Sequence, residues 1–96
     1  MAQPTKLSRA DATKIVRELA ANSSNVGLTR HCSVRMLERE ITLRQVLNCL
    51  LKGTISDGPA IDIHGNWKMD IYRAADDLTC AVAIEWRSQL IVITVF

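Results

Sequence analysis

At 96 residues, with 48% hydrophobic and 23% charged side chains, the chain has room for one domain on a single small core, and its composition is globular rather than disordered. Its longest apolar run, residues 90–96, is far too short to cross a bilayer, and a net charge of +2 with basic residues in both halves permits an anionic partner without requiring one. Cys32, Cys49 and Cys80 are odd in number and widely spaced, and the sequence opens without the charged-then-apolar pattern of a secretory signal; reduced thiols in a cytoplasm are expected, with no disulfide framework.

Ser8 is a good N-cap for a first helix, in which Ala12, Ile15, Val16, Leu19 and Ala20 recur at helical spacing until Asn22-Ser23-Ser24-Asn25 breaks the pattern into a polar loop. A second short helix is predicted from His31 to Glu40, with Thr29 as its cap and with Val34, Met36 and Leu37 turned to the core. The third is the best specified. Thr42 and Gln45 make a capping box, Ile41 and Val46 are placed for a hydrophobic staple, and Val46, Leu47, Leu50 and Leu51 form a stripe that Gly53 ends.

Beyond Gly53 the apolar period changes to two. A first strand is predicted over residues 60–64, entered past Gly58-Pro59, and Gly65-Asn66 is a turn. Trp67, Met69 and Ile71 alternate with Lys68, Asp70 and Tyr72 in a second strand that runs to an Asp76-Asp77 turn. In a third, Leu78, Cys80, Val82, Ile84 and Trp86 share one face. Arg87-Ser88-Gln89 turns the chain into residues 90–96, which are apolar on both faces and suit a central position under the Thr42 helix, or else an exposed edge that recruits a second copy into a homodimer. The predicted fold is α+β, with N-terminal helices packed on a four-stranded antiparallel meander, all within one domain spanning residues 1–96.

The second helix carries most of the acid, base and cation chemistry. His31, Arg35, Glu38 and Arg39 fall within an arc of about 100°. Such a face can hold a phosphate and move a proton. It can equally be a solvated surface with Arg and Glu in i,i+3 and i,i+4 pairs, an Arg35–Glu38 pair fixing the helix on the sheet, and His31 bonded to a backbone carbonyl or carboxylate. Cys32 points about 100° away from its neighbour His31, which disfavours a nucleophile–base dyad. His64 lacks a second ligand at metal spacing, so no metal or other cofactor is expected. Trp67 and Trp86 read as packing residues rather than base-stacking platforms.

Thr29-Arg30-His31, Arg35-Met36, Glu38-Arg39, Ile41-Thr42, Val46 and Lys52-Gly53 together resemble a family of small bacterial proteins known as a domain of unknown function. Its signature is an R-H-x-x-x-R-M-x-E-R-x-I-[ST] helix, a capped helix ending in Gly and a meander closing on a V-I-T-V type strand. The resemblance covers residues 29–96 and leaves residues 1–28, the first helix and its loop, outside. Proteins of this kind look like the RelE and BrnT toxins of toxin–antitoxin systems, so the resemblance implies a RelE-like α+β core, action on RNA and neutralisation by an antitoxin protein.

Metal-independent cleavage of an RNA phosphodiester needs a base for the 2′-hydroxyl, an acid for the leaving oxygen and cations against the phosphorane charge. An imidazole ordinarily titrates near neutrality, which suits His31 to either proton task; Arg35 and Arg39 offer planar forks to phosphate oxygens, and Glu38 can orient a neighbour or share the proton work. Arg30 and Arg73 are the further candidates for holding substrate. The competing reading is a non-catalytic binding or assembly module that uses the same face.

Overall fold

The computed structural model describes residues 3–86 and 88–96. Ser8, in extended backbone, accepts a hydrogen bond from the Asp11 N–H at 3.0 Å and starts α1 (Arg9–Ala20), which buries Ala12, Ile15, Val16, Leu19 and Ala20. Asn22 caps a 3₁₀ turn over Ser23–Asn25, and the chain then runs into a short strand, β1 (Val26–Leu28). Thr29 caps α2 (Arg30–Glu38). This helix ends in a Schellman motif: the Glu40 N–H reaches the Leu37 carbonyl at 3.3 Å and the Ile41 N–H the Met36 carbonyl at 2.8 Å, with Glu40 itself left-handed at φ 55°.

The capping box expected at the third helix is present in α3 (Leu43–Lys52). Gln45 N–H donates to the Thr42 hydroxyl, and the Thr42 N–H donates back to the Gln45 side chain at 2.8 Å. Gly53 follows for lack of space: a Cβ there would stand 2.5 Å from the Cys49 carbonyl oxygen and 2.8 Å from Ile71 Cγ2.

The strands are β2 (Thr54–Ile61), β3 (Trp67–Arg73), β4 (Leu78–Glu85) and β5 (Gln89–Val95), in the spatial order β1-β5-β4-β3-β2. The four-strand antiparallel expectation is therefore corrected to a five-stranded mixed sheet. Val26, Gly27 and Leu28, expected within the loop that follows the first helix, pair in parallel with Leu90, Ile91 and Val92. β5 thereby becomes an internal strand, which excludes the exposed-edge alternative and a dimer formed by extending the sheet from it. Nor does β5 lie chiefly under the Thr42 helix; it packs beneath α2 and α1, while α3 covers β3 and β4.

The first meander strand begins at Thr54, six residues before the expected start. Its register slips between Ile55 and Asp57 and again between Asp57 and Ala60, so an edge strand absorbs Gly58 and Pro59 as irregularities. Trp86 falls outside β4, in a turn where the Ser88 N–H donates to the Glu85 carbonyl; Arg87 lies outside the described residues.

One sheet face carries Trp67, Met69 and Ile71 from β3, Leu78, Cys80, Val82 and Ile84 from β4, and Leu90, Val92 and Val95 from β5. These join buried residues of all three helices in one cluster. On α2 the buried side chains are Cys32 and Met36. Val34 and Leu37, expected in the core, are instead 47% and 82% exposed. No helix among the described residues is long and apolar enough to cross a membrane.

Candidate functional site

Thr29 sets the position of α2. Its hydroxyl accepts from the Cys32 N–H at 3.0 Å and donates to the Ile93 carbonyl at 2.6 Å, while its own N–H reaches the Val92 carbonyl at 3.1 Å. The first turn of the helix is thus fixed to the sheet, and Cys32 and Met36 hold its inner side down. The remaining sides project His31, Glu38, Arg39 and Arg30 as exposed side chains, with Arg35 half-buried on the flank. At 1.5 Å of rise per residue, His31 and Arg35 stand one turn apart, about 6 Å along the axis, and Arg39 a turn further.

None of His31, Arg35, Glu38, Arg39 and Arg30 makes a side-chain hydrogen bond or ion pair with another described residue. The Arg35–Glu38 pair considered from the sequence does not form, and His31 bonds neither a carbonyl nor a carboxylate of the described chain. A half-buried guanidinium with no partner has lost part of its hydration without compensation, which favours an incoming anion.

The two remaining cations sit differently. Arg39 lines a cleft of about 170 Å³ at the far end of α2 with Glu40, Asp76 and Asp77, so carboxylates outnumber it there. Arg73 donates to Asp76 at 3.3 Å, beside that same cleft. The structure therefore groups His31, Arg35 and Glu38 on one flank, places Arg39 near acids about two helical turns from His31, and pairs Arg73 with Asp76. Tyr72 lies close by, its hydroxyl 3.0 Å from Asp77 Oδ1; that hydrogen bond and the Asp77 charge raise its pKa.

Cys32 is fully buried, and burial pushes its thiol up, so it offers His31 no nucleophile. Cys49 and Cys80 meet beneath α3. Their shared side-chain hydrogen bond and burial raise the Cys80 thiol, keeping its proton in place. Trp67 is buried with its indole N–H on the Pro4 carbonyl at 3.2 Å, as a packing residue should be.

Two features were not singled out from the sequence. Nine of the twelve Lys and Arg residues but only four of the ten Asp and Glu residues precede Thr54, giving a helical half of formal charge +5 and a strand half of −3. That asymmetry can be counted in the sequence once the helix-to-strand switch at Gly53 is recognised. The second is a groove of about 400 Å³ on the sheet face away from the helices, floored by Ala83, Ile91 and Ile93 and bordered by Thr29, Lys68, Glu85 and the Asp62–Asn66 turn with His64. Asp70 stands on this same face, and burial, reinforced by the neighbouring Asp57 charge, raises its carboxyl pKa.

No curated protein and no solved structure matches the chain. The model of a family described as a domain of unknown function, DUF4258, matches residues 28–96, beginning at the end of β1 and taking in the whole of α2, α3 and the sheet beyond them; the chain belongs to that family.

Proposed function

We propose that this chain acts on RNA as a toxin-like protein, holding the phosphodiester backbone against α2, with an antitoxin protein as its natural counterpart. The observation that carries this reading is the set of cations without a partner among the described residues on one anchored helix, Arg30 and Arg35 beside His31, in a helical half of charge +5. In this reading Arg35 and Arg30 grip phosphate oxygens, His31 exchanges a proton with the 2′-hydroxyl or the leaving oxygen, and Glu38 orients it. Arg39 contributes less, because Glu40, Asp76 and Asp77 oppose an anion at its end of the helix. The likeness of such small domain-of-unknown-function proteins to RelE- and BrnT-type toxins, an analogy at the level of the fold, is what favours an endoribonuclease. The open, exposed setting of His31 supports a binding module without catalysis as the second reading.

A labelled single-stranded RNA separates the two. Anisotropy titrations over a salt series are expected to show binding whose logarithmic slope falls by roughly 0.7 for each phosphate contact removed, as in Arg35→Ala or Arg30→Ala. Cleavage followed on a gel is expected to drop roughly a hundredfold to a thousandfold in His31→Ala if that side chain serves the transition state. Binding without cleavage selects the module. Absence of salt-dependent binding refutes both readings.

A further inference from the structure

Cys49 and Cys80 are remote in sequence and adjacent in the core. Cys49 occupies the last turn of α3, where its thiol donates to the Ile71 carbonyl at 3.4 Å and the Leu78 carbonyl at 3.6 Å. Ile71 is the ladder partner of Cys80, and Leu78 precedes Cys80 by two residues on the same face of β4. The Cys49 sulfur is thereby held over Cys80, and the two side chains share a hydrogen bond. That bond, with another from the Cys80 backbone and the charge of Arg73, lowers the Cys49 thiol below its ordinary value against the effect of burial, while Cys80 keeps its proton. Cys32 makes no hydrogen bond with either sulfur among the described residues, and no group of three His, Cys, Asp or Glu side chains among them is placed to hold a metal ion. The two sulfurs are left to each other. A route to them exists as well. The cleft of about 170 Å³ beside Arg39 has Gln45 of α3 and Leu78 of β4 among its walls. Cys49 lies one helical turn beyond Gln45, and Cys80 two residues beyond Leu78, so both walls run inward to a sulfur.

We propose that Cys49 and Cys80 form a reversible disulfide within one chain when hydrogen peroxide enters through this cleft, locking α3 onto β4. The Cys49 thiolate attacks one peroxide oxygen; the O–O bond breaks, and the departing hydroxide takes up the proton that Cys49 released and leaves as water. The Cys80 sulfur then attacks the sulfenic acid formed on Cys49. The S–S bond forms as the S–O bond breaks, and the Cys80 proton departs with the hydroxide as a second water. Two thiols lose two electrons, and one peroxide gains them. Both sulfurs are fully buried, so the rate is set by local opening of the fold at the cleft. The new bond closes a loop over residues 49–80 that contains the whole of β2 and β3, and so restricts the opening of this edge hairpin. The proposal does not rest on the RNA reading, since neither cysteine takes part in it.

Thiol mapping tests this. The reduced chain is treated with hydrogen peroxide under native conditions, quenched, and unfolded in an alkylating agent for intact-mass measurement and peptide mapping. The expected result is loss of two of the three thiols, a linked Cys49–Cys80 peptide, Cys32 still alkylated, and recovery of all three thiols in dithiothreitol. Amide exchange across β2 is expected to slow on oxidation and to recover on reduction. Cys80→Ser is expected to stop at a sulfenic acid on Cys49, trapped by dimedone, and Cys49→Ser to react with peroxide roughly tenfold more slowly. Cys32→Ser is expected to oxidise as the wild type does. If circular dichroism shows that a serine variant does not fold, the wild-type mapping decides alone. Three thiols still free, a link that involves Cys32 or joins two chains, a link that forms only in urea, or β2 exchange unchanged by the link would each overturn the proposal.

Discussion

Thr29 joins the end of β1, the start of α2 and the backbone of β5, so replacing it measures how firmly the candidate site is anchored. Thr29→Ala removes the acceptor for the Cys32 N–H and the donor to the Ile93 carbonyl. The lost cap costs about 1 kcal/mol and the lost hydrogen bond about 1 more. The sum of about 2 kcal/mol corresponds to a fall of roughly 8–16 °C in Tm for a domain of this size. Two further variants divide that sum. Thr29→Ser keeps both bonds and is expected to lose only part of a methyl group's burial, about 0.5 kcal/mol. Thr29→Asp keeps a cap acceptor but cannot donate to Ile93, and is expected to fall near 1 kcal/mol. Urea unfolding with an unchanged m-value supplies the measurement. A loss below about 0.5 kcal/mol in Thr29→Ala, or a serine variant as unstable as the alanine one, would refute the anchoring role.

Two other expectations concern backbone and charge. Glu40 occupies the left-handed position that closes α2, where a side chain costs about 1–2 kcal/mol; Glu40→Gly is expected to stabilise the protein by up to about 1 kcal/mol, after the extra freedom of glycine in the unfolded chain is deducted, read from the urea midpoint. Asp70 has a folded pKa raised by burial and by Asp57, so its contribution to stability is full below the ordinary carboxylate range and is lost as pH rises through the raised value. Asp70→Asn is therefore expected to be the more stable protein at neutral pH, with the difference vanishing in acid; an equal difference at all pH values would exclude titration as its cause.

Local signals were the ones legible in the sequence. The Thr42–Gln45 box is a four-residue pattern with its own hydrogen bonds, and Trp67, Met69 and Ile71 alternate on a strand long enough to show the period. β1 was not legible, because three residues cannot display an alternation and their partners stand at Leu90 to Val92. Gly58-Pro59 marks the approach to a strand rather than its interior, and only an edge position with slipped register lets a strand contain it. On α2 His31, Glu38 and Arg39 are exposed and Arg35 half-buried, while the inner side differs from the sequence pattern: Cys32 joins Met36 in the core and Val34 and Leu37 face outward. The lack of partners for Arg35 and Glu38 could not be read at all, since their spacing permits a pair.

The tie between Thr29 and Ile93 spans 64 residues. Closing a loop of that length costs on the order of 4 kcal/mol in chain entropy before the contact returns anything, which sets the joining of β1 to β5 late in folding and makes it an early point of local opening. When β1 and the start of α2 come away from β5, the cap of α2 loses its tether and the helix loses the strand beneath it. A helix of nine residues does not hold its shape alone in water. The recognition surface is therefore an equilibrium property of the opposite end of the sequence: a protease, a chaperone or a competing strand that captures β5 would switch off α2 without touching a single residue of it.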